Sequence, residues 1–155
     1  AGVTEFREAV FEGHAGFDAA TFYGDAYFSR ATFEGLAGFR DAAFEAGADF
    51  AGASFVQTAD FCDVSFVKGP PLFVAKNVES GEVYQARFAA LSAGSGSTGQ
   101  DAHDFAVCEG SQPIPLGTAE LNGVGYRIPA GAVLFDPTSW DELQKEYTHL
   151  SEPAQ

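Results

Sequence analysis

Phenylalanine returns along the first part of this chain in alternating steps of five and six residues: Phe6, Phe11, Phe17, Phe22, Phe28, Phe33, Phe39, Phe44, Phe50, Phe55, Phe61 and Phe66. Two positions before them stand Thr4, Ala9, Ala15, Ala20, Ala26, Ala31, Ala37, Ala42, Ala48, Ala53, Ala59 and Val64. Each unit therefore reads small-x-Phe-x-x, and two units make an eleven-residue period. A fixed internal period dictates a repetitive architecture, in which each unit buries its apolar residue against its neighbours.

An eleven-residue period also fits a right-handed coiled coil. At about 100° per residue, however, steps of five and six put successive rings on nearly opposite sides of a helix and leave no single face to bury. Most periods also carry a glycine, at Gly13, Gly24, Gly35 and Gly47. In a strand the side-chain period is two, so the small residue and the Phe point to one side and the residue between them to the other. Each unit is then a very short strand plus a corner. The six-residue units place their extra residue at the corner, as in Phe11-Glu12-Gly13-His14 and Phe22-Tyr23-Gly24-Asp25, where glycine is expected to accept unusual backbone angles.

From Thr4 to Lys68 this pattern resembles the pentapeptide-repeat family in its phenylalanine-centred variety. The resemblance implies a right-handed quadrilateral β-helix, four units per coil, with the Phe and the small residue turned inward. With the extra residue in alternate units, coils of about 22 residues are expected, so residues 22 apart should lie about 4.8 Å from each other. Glu8 then falls beside Arg30 and Asp18 beside Arg40 as surface ion pairs, while Glu12 falls on Glu34. Twelve units make about three coils, a column about 14 Å tall, which needs something packed on its ends.

The ruler breaks at Gly69-Pro70-Pro71. Phe73, Val78 and Tyr84 keep an echo of the spacing, which leaves a fourth coil open. Glu82 to Leu91 reads as a short helix. Ser92 to Thr98 and Gly99 form a glycine/serine linker or loop. Beyond it, Phe105 to Cys108 reads as a strand, Glu120 to Ile128 as a hairpin turning at Asn122-Gly123, and Ala132 to Phe135 as another strand. Ser139-Trp140-Asp141-Glu142 matches a capping box, and Trp140, Leu143, Tyr147 and Leu150 follow at helical spacing, which predicts a terminal helix. The organisation is thus a mainly β chain: a β-helix over 1–68, a transition over 69–91, a linker over 92–100, and a mixed strand/helix lobe over 101–155 that caps the column or joins two chains.

The chain has 22 acidic and 8 basic residues, net −14. That balance disfavours direct binding to nucleic acid or to an anionic membrane surface. No stretch approaches the ~20 apolar residues that a membrane-spanning helix needs. The opening residues lack the features of a secretory signal, and without an initiator Met the chain reads as trimmed, processed or excerpted. Cys62 and Cys108 form neither a metal-ligand spacing nor a redox pair, so two free thiols in a reducing, cytoplasmic setting are expected over one disulfide.

The chemistry-bearing residues are sparse. His14 falls at a corner, His103 in a loop and His149 at the expected helix end, none with nucleophile or metal partners, and each reads as a surface histidine. Cys62 follows an inward Phe and is expected to face outward, with no base to activate it. No Gly-Lys-Ser/Thr occurs, so phosphate-loop chemistry is absent. The stacked positions Val10/Thr32/Ser54 and Thr21/Ala43/Ser65 are too mixed for an ice-binding face. No catalytic, cofactor-binding or metal-ligating residue is assigned, and no small-molecule substrate is expected.

The resemblance implies that members of the family bind DNA gyrase or topoisomerase IV by imitating duplex DNA. Here the charge is spread evenly: residues 1–68 hold eleven acids and four bases, net −7, and residues 69–155 hold the same. Three coils also fall short of one duplex turn, about 34 Å. The preferred expectation is a non-catalytic protein-interaction or assembly module. Its partner is another protein or a second copy, met through the uncapped strands at Thr4-Glu5-Phe6 or through the second lobe.

Overall fold

The computed structural model describes residues 2–90, 105–106 and 114–155. Its first half is a stack of two-residue strands arranged in four parallel sheets. The first sheet holds Thr4–Glu5, Ala26–Tyr27 and Ala48–Asp49; the second begins Val10–Phe11, Thr32–Phe33, Ser54–Phe55. The third begins Ala15–Gly16, Ala37–Gly38, Ala59–Asp60, and the fourth holds Thr21–Phe22, Ala43–Phe44, Ser65–Phe66. Partners in these pairs are 22 residues apart, as in Thr4↔Ala26 and Phe11↔Phe33. The chain thus passes through all four sheets before meeting itself again, which is the winding of a β-helix.

The rings fill its axis. Phe28, Phe33, Phe39, Phe44, Phe50, Phe55 and Phe61 are fully buried, and the alanines two positions before them are buried beside them. Along the axis the rings form four parallel stacks. Phe11–Phe33–Phe55–Phe88 has centroid spacings of 4.9, 4.9 and 4.8 Å with interplanar angles of 6° or less. Around each turn the neighbours meet edge-on or tilted, as Phe39 does with Phe50 at 5.5 Å and 90°. Parallel strands sit about 4.8 Å apart, so ladder spacing and ring stacking are satisfied by one repeat distance.

The corners differ from the sequence expectation. The glycines at 13, 24, 35 and 47 are absent from the left-handed region. That conformation instead recurs every eleven residues in the other corner, at Glu8, Ala19, Arg30, Asp41, Gly52 and Asp63, with φ between 58° and 75°. At the bulged corner the need is for space. A Cβ on Gly35 would lie 2.6 Å from the carbonyl of Gly13, one turn below. Carboxylates of one turn also bond amides of the next: Asp18 Oδ1 accepts from the Arg40 amide at 3.0 Å, and Asp25 Oδ1 from the Gly47 amide at 2.8 Å.

The register places the expected ion partners together, with one change of contact. Arg30 meets Glu8 at 3.6 Å. Arg40 gives its guanidinium to Asp60 at 3.2 Å rather than to Asp18, because the Asp18 carboxylate is held by the Arg40 main chain.

A partial fourth turn follows the break. Leu72 bridges Asp49, and the Phe73 ring stacks on Phe50 at 5.5 Å. The chain then leaves as an antiparallel excursion, Val74–Lys76 against Val83–Gln85. Val78 lies at its outer end, 95% exposed, so it takes no inward place, and neither does Tyr84. Arg87–Ala89 rejoins the second sheet beside Ser54–Phe55, and Phe105–Ala106 joins the third beside Ala59–Asp60. The helix expected over 82–91 is therefore two strands. The segment finds ladder partners on both sides, Ser54–Phe55 and Val133–Phe135, and Phe88 completes a ring stack. Those contacts outweigh a local helical pattern.

Asn122-Gly123 makes a two-residue turn between Leu116–Leu121 and Val124–Pro129, with φ of 54° and 79°, the type I′ geometry. Ala119, Leu121, Tyr126 and Ile128 from this hairpin belong to the same buried cluster as the rings. Val133–Phe135 adds a fifth strand to the second sheet. The terminal helix is absent: Trp140–Asp141 and Glu146–Tyr147 form an antiparallel pair. The capping-box residue is engaged elsewhere, since the Ser139 hydroxyl donates to the Asp136 carbonyl and accepts from the His149 amide. Asp141 draws the amides of Leu143 and Gln144 into a turn that Lys145 closes at φ 57°. The expected linker over 92–100, with His103 and Cys108, lies outside the described residues.

Two comparisons test the core and the corners by equilibrium denaturation. Phe39→Ala should cost about 3–5 kcal/mol, whereas Phe6→Ala, at the half-buried end of its stack, should cost no more than about 1.5 kcal/mol. Gly35→Ala should destabilise by about 1–3 kcal/mol through overpacking. Gly13→Ala, with nothing within 4 Å of the added carbon, should stay within about 0.5 kcal/mol of the parent.

Candidate functional site

Two surfaces stand out from the regular column. The first is the end formed by the opening turn. Thr4 and Phe6 donate their amides up to Asp25 and Tyr27, Ala15 and Phe17 to Leu36 and Gly38, while Ala9 and Phe11 accept from Thr32 and Glu34, and Ala20 and Phe22 from Ala43 and Glu45. In a parallel ladder the main-chain groups of successive residues point to opposite edges. The amides and carbonyls of Glu5, Val10, Gly16 and Thr21 are therefore directed away from the column at its open end. Phe6, Phe11 and Phe17 are only partly buried there.

The second surface is a groove of about 580 Å³ between the outer face of the second sheet and the terminal hairpin. Thr32, Ser54 and Arg87, successive partners in the sheet, form part of its floor, with Val10 and Val56. The hairpin forms the wall. Tyr147 packs on Phe135 at 4.2 Å, and Trp140 meets Tyr147 edge-on at 4.9 Å. Trp140 remains 44% exposed, its indole N–H bonded to Glu142 at 3.2 Å, and Glu142 also holds Lys145 at 2.7 Å. Burial pushes the Tyr147 phenol above its ordinary value of 10.0, and the Glu34 carboxylate nearby adds to that shift.

Of the residues weighed in the sequence, His14 is exposed. His149 is exposed as well, within 3.0 Å of the Asn122 side-chain oxygen, and that asparagine is 3.4 Å from Asp136. Thr138 gives its hydroxyl and amide to Asp136 and holds that carboxyl below the usual range. Cys62 is buried, 5% exposed, and departs from expectation in being disulfide-bonded rather than a free thiol. Among the described residues no group of three or more His, Cys, Asp or Glu is arranged to hold a metal ion, and no helix is long and apolar enough to cross a membrane. The groove itself was invisible to the sequence reading, because a helix over 139–150 would have placed Trp140 and Tyr147 on one packed face.

With that geometry in view, residues 1–43 match the family described as pentapeptide repeats (9 copies). By that match this segment is similar to a pentapeptide-repeat array. The same strand-and-ring pattern runs on past the matched residues through Phe44, Phe55 and Phe66. Neither a curated protein nor a solved structure matches the chain.

The repeat array supplies a rigid wall against which Tyr147 and Glu34 face each other, and their coupling can be read by titration. The raised phenol pKa means that the stability tied to neutral Tyr147 is intact below the ordinary tyrosine range. It is lost as pH climbs through the raised value. Glu34→Gln should move the Tyr147 titration part of the way back toward 10.0. The phenolate absorbance difference between parent and Tyr147→Phe reports it, and an unshifted curve in Glu34→Gln removes Glu34 as a cause.

Proposed function

We propose that this protein is a non-catalytic protein-interaction or assembly module, built on a right-handed pentapeptide-repeat β-helix, that takes a further strand layer from another polypeptide at its opening turn. The observation that carries this reading is the square of outward main-chain groups at Glu5, Val10, Gly16 and Thr21 around the half-buried rings of Phe6, Phe11 and Phe17. An unpaired strand edge is a template for strand addition, in which main-chain bonds give affinity and side-chain pockets give choice of partner. Here four such edges face the same way, and the open ring stacks offer apolar contact between them.

The opposite end favours docking at the opening turn. The ring stacks there run into the buried residues of the Leu116–Pro129 hairpin and into Ala154, whose amide bonds Ala132. The alternative that the family resemblance carries, an acidic mimic of duplex DNA acting on gyrase or topoisomerase IV, has less support. Among the described residues the longest sheet has five strands, a ladder of about 19 Å against a duplex turn of about 34 Å.

Light scattering coupled to size exclusion tests the proposal. The expected result is mass above the 16.3 kDa of one chain that grows with concentration and falls on Val10→Pro. Proline at that outward amide removes an edge donor while leaving the internal ladder bonds in place. A strict monomer at high concentration, unaffected by Val10→Pro and with no copurifying chain, would sink the assembly reading. Inhibition or protection in a gyrase supercoiling assay would support the mimic instead.

A further inference from the structure

Seven of the eight lysines and arginines lie exposed, and Arg87 is the one that does not. Arg7, Arg30, Arg40 and Lys145 are each paired with a carboxylate. Arg87 is half-buried and, among the described residues, has no hydrogen bond or ion pair from its guanidinium. It stands on the floor of the groove under Trp140 and Tyr147, on a ridge shared with a smaller recess of about 280 Å³. In a chain of net charge −14, a partly desolvated guanidinium without a carboxylate partner is an unused anion site, since its planar fork matches a carboxylate two bonds at a time.

Two carboxylates line the same groove, Glu34 and Glu146, and neither has an ion pair among the described residues. They exclude a polyanion and favour a positive group near themselves. Thr32 stands two ladder steps from Arg87 through Ser54, about 10 Å, and Glu34 lies two residues further along the chain. That separation is within reach of an extended tripeptide and its two terminal groups, at about 3.5 Å per residue. The exposed indole of Trp140, the Tyr147 ring, and the small hydroxyls of Thr32 and Ser54 line the same groove. The volume, about 580 Å³, is within the ordinary range of small-ligand sites.

We propose that this groove binds a short peptide of two or three residues with both ends free: its carboxylate on Arg87, an apolar or aromatic side chain against Trp140 and Tyr147, and its ammonium toward Glu34 and Glu146. The site shares Val10 with the opening turn but is otherwise distinct from it, because its charged and aromatic lining lies on the outer face of the second sheet and on the terminal hairpin rather than at the end of the column. The column holds the floor residues in fixed register, so little ordering is required of the protein on binding.

Trp140 is the only tryptophan in the chain, so its emission reports this groove alone. The probe is the tripeptide alanyl-phenylalanyl-alanine, titrated into the intact protein in its free, carboxy-amidated and amino-acetylated forms. The free form is expected to give a saturable change in emission, and the amide and Arg87→Gln each to weaken binding tenfold or more. Acetylation should weaken binding to the parent but make no difference to the Glu34→Gln/Glu146→Gln variant. Circular dichroism checks that the variants are folded, and the amidated peptide tests the carboxylate on the parent whether they fold or not. The absence of any saturable change up to the solubility limit of the peptide overturns the proposal. So does an amide that binds as tightly as the acid, or sodium acetate saturating the signal at the same concentration as the tripeptide.

Discussion

The repeat distance along the axis is the constraint on which everything else hangs. Two interactions with separate physical origins want the same spacing: main-chain ladders at about 4.8 Å and offset or parallel aromatic rings at about 4.5–7 Å. The observed stacks sit between 4.6 Å, for Phe22 on Phe44, and 5.5 Å, for Phe50 on Phe73. A larger period would part the ladder, and a smaller side chain would leave a void on the axis. Alanine two positions earlier follows from the same geometry, because the axis is already filled by four rings per turn. Ala26, Ala31, Ala37, Ala53 and Ala59 are wholly inaccessible, which leaves no volume for a larger residue.

That ladder is firm enough to hold its corners in a conformation most side chains avoid. Glu8, Ala19, Arg30, Asp41 and Asp63 occupy the left-handed region, at about 1–2 kcal/mol per non-glycine residue. Each sits where the main chain is fixed on both sides, as at Arg30, whose amide bonds Ala51 above while the Phe28 carbonyl accepts from Ala31. Gly52 is the one member of the series free of that cost. Its position is also crowded, since a Cβ would meet the Arg30 side chain at 2.9 Å and that of Tyr84 at 3.2 Å. Corner conformation in this column is set by the ladder, with residue preference a secondary influence.

This ranking explains what could be read from the sequence. The period of Phe6 to Phe66 prescribed strands, inward rings and the 22-residue pairing, because each is a consequence of repetition and side-chain alternation. Asn122-Gly123 announced its hairpin because the turn type demands two positive φ values. Repetition carries no information where it stops. Over 82–91 and 139–150 the residues do have helical spacing, but short isolated helices are marginal, and partners distant in sequence decide the outcome. Phe88 is claimed by Phe55, Val83 by Lys76, and Tyr147 by Phe135 and Trp140. Ser139 and Asp141, read as the start of a helix, spend their side chains on turns, the competition expected of short polar residues. Cys62 was read as an outward thiol from alternation alone, and alternation does not report what lies over a face.

The groove shows how irregular parts acquire chemistry from a regular one. Outward residues of the second sheet form a column in which Val10, Thr32, Ser54 and Arg87 succeed one another at ladder spacing. On an open face Arg87 would be one more solvated cation. The terminal hairpin changes its surroundings by bringing two aromatic rings and the carboxylate of Glu146 to the same groove, while the next column contributes Glu34. Glu142, on the same hairpin, is occupied by Lys145 and by the indole of Trp140. It is therefore held at the tip rather than released to neutralise Arg87. Charge separation in the groove is thus maintained by geometry: the column fixes Arg87 and Glu34 at register positions, and the hairpin pairs Glu142 with Lys145 on its turn while Glu146 stays in the groove.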